Sequence, residues 1–548
     1  HDPKNDRVEG TISFQGGNRA KITLRTDELP DWSRDGKLGL EVLFDENSYD
    51  EMEQALKTAN TLSDKSDNRL IKILTGEKSP TFYPEAPTLS LPKLNPSQVS
   101  SVEKIVTANE LAIVHGPPGT GKTTTLVQAI KALIKQDNRK ILVVAPSNTA
   151  VDLLSEKLHD EGLNVLRVGN PARVSERLMA LTLDYKVSEH PYMKEAKKLK
   201  KQANEFRNMA HKYKRNFGKA EREQRKALFD EAHRIMKDVA NSEQYVTDDL
   251  IAKAQVITAT LVGANHYTVR DLTYHTVVID EAGQALEPAC WIPILKAQKV
   301  VLAGDHCQLP PTIKSPEAAR KGLSTTLLEK CVTLHPEAVT LLNEQYRMHE
   351  HIMGYSSQVF YQNKVKAHAS VASHSLFEGD TALEFVDTAG CGFDEKLDGT
   401  SSTNPEEAAL LIRHLSQRVA DLSTRYTKEN FPTIAIISPY KQQINILKEL
   451  SLQHPELQAY GDSISINTID SFQGQERDIV YISLVRSNTE GDIGFLADIR
   501  RMNVAMTRAR KKLVIVGDSA TLANLPFYAD FIAYSEKLNA YQSAWEWL

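Results

Sequence analysis

The sequence predicts an α/β protein with two parallel-sheet domains in tandem, and three observations lead there. Short, almost continuously apolar runs alternate with longer helical segments from about residue 93 onward, the signature of strands buried on both faces. The runs fall into two successive series. Between the first run and the helical segment after it stands a glycine-rich stretch, "HGPPGTGKTTT". A length of 548 residues also exceeds what one core serves, at about 150 residues per domain.

The elements can be justified in order. Residues 8–45 alternate in "VEGTISFQGGNRAKITL" and "KLGLEVLF" around a Gly-Gly turn, so a small β module is expected over 1–50. "SYDEMEQALKTANTLSDKSDNRLIKILTG" reads as helical and stops at Gly76. The next stretch carries Pro80, Pro84, Pro87, Pro92 and Pro96, so 51–92 becomes a helical stalk and an extended linker. The first strand series is "LAIVH" (111–115), "KILVVA" (140–145), "QVITAT" (255–260), "TVVID" (276–280) and "KVVLAG" (299–304). The second is "AVTLL" (338–342), "ALEFV" (382–386), "TIAIIS" (433–438), "SISIN" (463–467), "DIVYISLV" (478–485) and "KLVIVG" (512–517). Domain one is therefore expected over 93–171 and 251–322, and domain two over 323–548.

Residues 172–250 interrupt domain one with a different composition. Met193, Ala196, Leu199, Ala203, Phe206, Met209 and Tyr213 recur at steps of three and four, one stripe of an amphipathic helix. A second helix is expected at roughly 218–239, with Leu228, Ala232, Ile235 and Val239 on one side. The pair reads as an inserted helical hairpin. Lys194 to Lys226 holds 13 Lys or Arg against 4 Glu, which suits either a solvated face or a nucleic-acid contact.

Composition narrows the classes. The formal charge of −5 argues against a globally basic nucleic-acid coat and leaves a locally basic cleft open. Cys290, Cys307, Cys331 and Cys391 are far apart without a CxxC pair, so free thiols are expected rather than disulfides or a zinc site. No apolar run approaches the length of about 18 residues needed for a membrane span. The opening residues lack the apolar segment of a secretory signal, and the first residue is His1, consistent with trimming. A cytoplasmic protein is expected, or a nuclear one in a eukaryote, with no membrane partner. Nothing calls for an oligomer, so a monomer is expected.

"HGPPGTGKTTT" demands chemistry, because strand and helix flank it as a phosphate loop requires. Gly116, Gly119 and Gly121 let backbone N–H groups turn inward without Cβ clashes, and the helix N-terminus adds a field favourable to anions. The whole run Gly116, Pro117, Pro118, Gly119, Thr120, Gly121, Lys122, Thr123 and Thr124 is assigned to nucleotide. Lys122 can reach the β- and γ-phosphates, and the Thr123 hydroxyl can ligate Mg²⁺. "TVVIDEAGQ" places Asp280 and Glu281 after an apolar strand, Asp280 as the second Mg²⁺ partner and Glu281 as general base or water-orienting residue. "GDHCQLPP" follows the next strand and offers Gln308 as a sensor of the γ-phosphate or attacking water.

Eight runs in order, "LNPSQ", "GPPGTGKT", "APSNTAVD", "DEAGQALEP", "GDHCQLPP", "EQYRM", "SFQGQERD" and "NVAMTRARKKL", resemble the motif series of superfamily-1 helicases over about residues 93–525. The closer resemblance is to the 5′→3′ class that includes the nonsense-mediated-decay helicase and the immunoglobulin mu-binding-protein helicase. It implies two RecA-like domains, a β-barrel at the N-terminal module, and ATP with Mg²⁺ as cofactors. Gln98 would read the adenine edge, Tyr346 would stack on the base, and Glu476 would accept from the ribose. Arg347 and Arg508 would both reach the γ-phosphate, whereas Arg510, Lys511 and Lys512 are read as a solvated strand entrance. Ser147, Asn148, Thr258, Thr468 and Gln473 would touch single-stranded DNA or RNA. The zinc-binding, nuclease or small C-terminal modules of some members are not expected. The implied function is an ATP-driven motor that translocates on a single strand and unwinds duplexes. Two alternatives are a translocase that displaces proteins without unwinding and a P-loop regulatory ATPase that never moves. Against the second, no guanine-reading N-K-x-D run occurs.

Overall fold

In a computed structural model, residues 8, 10–16, 19–24, 39, 47–63, 68–85, 89–169, 176–211, 218–399 and 401–547 are described. Near the N-terminus β1 (Gly10–Gly16) pairs antiparallel with β2 (Arg19–Leu24). The expected strand "KLGLEVLF" lies outside the described residues apart from Gly39, and so does most of the expected barrel. The described part of the stalk is helical, as expected, over Asn47–Ser63 and Arg69–Leu74. Gly76 follows the Thr75 cap with φ +84°, the left-handed stop its position suggested.

The first sheet contains β3 (Leu111–His115), β4 (Ile141–Ala145), β5 (Val165–Arg167), β6 (Val256–Thr260), β7 (Tyr274–Ile279), β8 (Ala297–Gly304) and β9 (Val339–Leu341). Its order is β5-β6-β4-β7-β8-β3-β9, with every neighbouring pair parallel. Alternate residues of one strand feed opposite faces: Leu111 and Ile113 enter one core cluster, Ala112 and Val114 the other. β9 corrects an expectation. "AVTLL" was placed at the head of the second series, yet Thr340 pairs with Val114 and closes the first sheet. The first sheet therefore takes a strand from beyond the expected boundary at 322. An apolar run announces a strand but not the sheet that will receive it.

The second sheet contains β10 (Leu383–Asp387), β11 (Ile434–Ser438), β12 (Ile464–Thr468), β13 (Arg477–Ser483), β14 (Ala509–Gly517) and β15 (Tyr541–Ser543). Its order is β12-β11-β13-β14-β10-β15, again all parallel. Ile434 and Ile436 face one cluster, Ala435 and Ile437 the other. β5 and β15 had no signal in the sequence, being three-residue strands, the second of them polar. Because both sheets are parallel, every strand's C-terminal end lies on one edge, where open α/β sheets collect ligands.

Helices Pro191–His211 and Lys219–Lys253 pack on each other between β5 and β6. Met193 and Ala196 share a cluster with Val239 and Val246, and Ala203 one with Ala232 and Ile235. Early residues of one helix thus meet late residues of the other. The second helix runs to Lys253, beyond the expected end near 239. Within the expected stripe Met209 is exposed and Ala210 buried in its place, while Tyr213 lies outside the described residues. No helix among the described residues is long and apolar enough to cross a membrane.

Candidate functional site

The phosphate loop leaves the C-terminal end of β3 and is pinned to β8 by Gly116 N–H donating to the Gly304 carbonyl at 3.0 Å. Gly119 and Gly121 both have φ +76°, a backbone conformation that costs glycine little and other residues more. Each also lies under a close neighbour. A Cβ at Gly119 would lie 2.6 Å from Arg347 Cβ, and one at Gly121 would lie 2.5 Å from Gln98 Nε2. The helix Lys122–Asp137 begins at Gly121 with no side chain capping it, so its first amides face the loop. Thr120 Oγ1 donates to the Pro117 carbonyl at 2.7 Å and holds the turn of Pro117 and Pro118 in shape.

Lys122 Nζ bridges both carboxylates that follow β7, donating to Asp280 and to Glu281 Oε1, the latter at 2.7 Å. Burial opposes its charge, but the two carboxylates hold its pKa above the ordinary lysine range. Asp280 is buried, its N–H bonded to the Val144 carbonyl. Glu281 takes φ +52°, unusual for a non-glycine residue, which turns its carboxylate back to Lys122 while Gln284 Nε2 donates to it at 2.9 Å. Thr123 is half-buried and Thr124 exposed on the first turn. A hydroxyl and a carboxylate are hard oxygen donors suited to Mg²⁺, and at Gly119 and Gly121 a Cβ would clash with Arg347 and Gln98.

Domain two closes the other side. Tyr346 N–H donates to the Gly119 carbonyl at 2.9 Å, which brings "EQYRM" directly against the loop. Arg347 Nε donates to Glu476 Oε2 at 2.6 Å and Nη1 to the Thr507 carbonyl at 3.2 Å. Arg508 is 3% exposed and held by carbonyls: Nε to Val504 at 2.9 Å and Nη1 to Gln475 at 3.2 Å. Burial, and then the neighbouring Arg347, press its pKa down to about 9, with Glu281 across the cleft pulling the other way. Two guanidiniums are thus crowded where an anion would relieve both.

The expected base-binding residues gather at one end. Gln98 completes a capping box, its Oε1 accepting from Asn95 N–H and its Nε2 donating to the Thr120 carbonyl, each at 3.0 Å. Tyr346 is 40% exposed, with its hydroxyl held by Asn95 and Glu344 and its ring 4.6 Å from that of His368. Asn95 was not singled out in the sequence. Its signal was the N-P-S-Q spacing of a capped helix start, which also orients the tyrosine. Gln308 Nε2 donates to Asp305 at 2.8 Å, and the other contact on that Asp305 oxygen is the Tyr361 hydroxyl of domain two at 2.7 Å. Asp305 and Tyr361 were likewise missed; their pairing spans chain positions that no local pattern connects.

Of the expected strand contacts, four line the sheet edges. Ser147 is exposed and caps the helix Asn148–Asp160, while Asn148 accepts from Arg167 Nη2 at 2.8 Å. Thr468 ends β12, its hydroxyl 3.4 Å from that of Ser471. Gln473 is half-buried, and its Nε2 has no hydrogen-bond partner among the described residues. Thr258 is a correction. It lies inside β6, fully buried, with Oγ1 2.7 Å from Ser155 Oγ, so it cannot reach a strand. Two residues on, Thr260 ends the strand on the same face, its Oγ1 accepting from Gly263 N–H at 3.0 Å. Lys512 is a second correction. It is 0% exposed on β14 and paired with Asp380 at 2.9 Å and with Glu384. Arg510 and Lys511 remain partly exposed, within 3.8 Å of Glu476 or Asp478.

Two family models, each described as AAA domain, match residues 93–316 and 323–520. The chain is similar to the DNA-binding protein SMUBP-2 of Mesocricetus auratus, 36% identical over 96% of this chain and 54% of that protein. It is 34% identical to the DNA polymerase alpha-associated DNA helicase A of Saccharomyces cerevisiae, over 87% of this chain and 73% of that one. To the regulator of nonsense transcripts 1 homolog of Arabidopsis thaliana it is also 34% identical, over 81% of this chain and 34% of that one. The chain spans about half the length of the SMUBP-2 proteins it matches.

Proposed function

The chain belongs to the AAA-domain helicase family that includes the SMUBP-2, helicase A and nonsense-transcript-regulator proteins, and we propose that it is an ATP-dependent motor on single-stranded DNA or RNA. It translocates 5′→3′, unwinds duplexes ahead of it and works as a monomer in the cytoplasm or nucleus. In this reading β1 and β2 belong to a barrel module, and 172–250 is a hairpin inserted into domain one.

The observation that carries the proposal is the approach of domain two's Tyr346 and Arg347 to Gly119 of domain one's phosphate loop, with Arg508 beside Arg347 and within reach of the Glu281 charge. When triphosphate enters, Lys122 exchanges its two carboxylates for phosphate oxygens. Asp280 and the Thr123 hydroxyl are then free to hold Mg²⁺, which when bound neutralises charge on the phosphates. Glu281 orients the attacking water and takes its proton, with Gln308 beside it. Arg347 and Arg508 settle on the γ-phosphate, and the cleft stays shut while that charge is present. Once the γ-phosphate is cleaved the shared anion is gone and the domains separate. If Ser147 and Asn148 grip the strand from one sheet edge and Thr468 and Gln473 from the other, each opening and closing advances the motor. Contacts of this kind hold backbone and stack bases without reading sequence.

Four substrates test the proposal: duplexes of DNA or RNA carrying a 5′ or a 3′ single-stranded tail. ATP-dependent displacement confined to 5′ tails is expected. Displacement from 3′ tails alone would overturn the polarity. Strand-stimulated hydrolysis with no displacement on any of the four would replace unwinding with the protein-displacing translocase.

A further inference from the structure

His115 ends β3, and Asp305, His306 and Cys307 follow β8, the strand paired with it through His115 and Gly304. One donor atom from each of these four residues lies within 4.8 Å of the others, and no other group of three or more His, Cys, Asp and Glu among the described residues is as compact. His115 Nε2 is 3.0 Å from Asp305 Oδ1, and the His115 and His306 rings are 4.6 Å apart. Among the described residues no partner reaches the buried His306 Nδ1, an uncompensated polar atom. Cys307 Sγ has only a 3.6 Å contact to the Phe360 carbonyl. None of these side chains has a task of its own in the hydrolysis derived above, although Asp305 accepts from Gln308.

We propose that His115, Asp305, His306 and Cys307 form a binding site for a thiophilic divalent cation, Zn²⁺, that restrains the motor when occupied. Two imidazoles, a carboxylate and a thiolate are a zinc donor set, whereas Mg²⁺ prefers oxygen alone. A dication with one carboxylate and one thiolate is also neutral overall, which suits a buried site. Binding breaks the Cys307 S–H bond and forms a sulfur–zinc bond, with the proton released to solvent. Ligands about 2.1 Å from zinc at tetrahedral angles are roughly 3.4 Å apart, so the widest pair, now within 4.8 Å, has to close by up to about 1.4 Å.

The restraint follows from what Asp305 does otherwise. It accepts from Tyr361 and Gln308, and Tyr361 in turn accepts from Asn503 Nδ2 at 3.2 Å. Those two bonds fall on Oδ2, whereas Oδ1 faces His115, so an ion that takes Oδ1 as the cluster closes draws the carboxylate, and Oδ2 with it, away from Tyr361 and Gln308. This consequence rests on the proposed motor function; the binding itself does not.

The untagged chain, stripped of metal, is titrated with Co²⁺ and followed by thiolate-to-cobalt charge-transfer absorbance, then by Zn²⁺ displacement of that signal. One equivalent is expected, unchanged in Cys391→Ser. Cys307→Ser should abolish the charge-transfer band. His306→Asn, a second variant in case the first fails to fold, should weaken metal affinity at least about 100-fold, since outer-shell changes alone cost about 10–100-fold. Absence of the band in the wild type, or its survival in Cys307→Ser, overturns the site. In parallel, Zn²⁺ at saturating Mg–ATP should lower strand-stimulated turnover of the wild type and spare Cys307→Ser. Equal inhibition of both would overturn the restraint. The absorbance reads the site even if the chain moves on no strand.

Discussion

Arg508, Arg510, Lys511 and Lys512 stand within five residues and have different fates. Arg508 is buried in the cleft, Arg510 and Lys511 are partly exposed beside Asp478, and Lys512, the next residue of the same strand, is enclosed in an ion network with Asp380 and Glu384. The sequence could separate Arg508 from the rest only through its motif. It could not separate Lys512 from Lys511, because which side of a strand faces the core depends on the register against β13. Replacing Arg508 with Ala should cut hydrolysis by roughly 10³ to 10⁵ while ATP affinity moves far less. Lys511→Ala should leave turnover near wild type, its ion pair being a surface one worth about 0–1 kcal/mol. Steady-state ATPase assays on the two variants decide this, and comparable losses would return the stretch to a generic basic patch. Thr258 makes the same point about facing. Thr258→Val should leave strand affinity unchanged and lower stability by about 1 kcal/mol or less, because Ser155 keeps its bond to the Val151 carbonyl. A large loss of binding in a filter or anisotropy assay would put Thr258 back at the interface.

At the scale of elements, the strands and the loops at their C-terminal ends were legible, because buried parallel strands are short apolar runs and phosphate chemistry restricts its residues sharply. β5, β9 and β15 were misread or missed because sheet membership is decided by pairing across the fold. The polar support beneath the second sheet's edge was also silent. Glu407, on the helix Pro405–Ser423, is fully buried and accepts from Ser483 Oγ at 2.6 Å and Val485 N–H at 3.0 Å. Val485 has φ +71°, strained for a β-branched residue, and Glu407 helps to hold it. Burial raises the Glu407 pKa from its ordinary 4.5 to about 7, outweighing those hydrogen bonds. A carboxyl raised on folding favours the proton-bound native state, so its penalty is absent at low pH, grows between these two values and is complete above the folded one. Glu407→Gln keeps the acceptor and removes the charge. Its Tm relative to wild type should therefore rise steadily from about pH 5 to about pH 8, as thermal melts would record. A gap independent of pH would show that Glu407 is not ionising there.

For the whole molecule, the account depends on two sheets sharing one anion. Lys122, Asp280 and Glu281 come from domain one, and Arg347 and Arg508 from domain two, and backbone contact at Gly119 already brings the two together. The sequence showed two strand series and eight motifs in order, which was enough for the two parallel-sheet domains and for expecting Lys122, Asp280 and Glu281 to meet at one sheet edge. It did not show the Asp305–Tyr361–Asn503 link between the domains, which is assembled from residues nearly two hundred positions apart. The most direct measurement is ATP turnover by the wild type and by Lys122→Ala, each with and without a single-stranded polynucleotide, alongside binding of that strand. The account predicts low basal turnover raised by the strand in the wild type, none in the variant, and strand binding largely preserved in both. Near wild-type turnover in Lys122→Ala, or a rate indifferent to the strand, would contradict it.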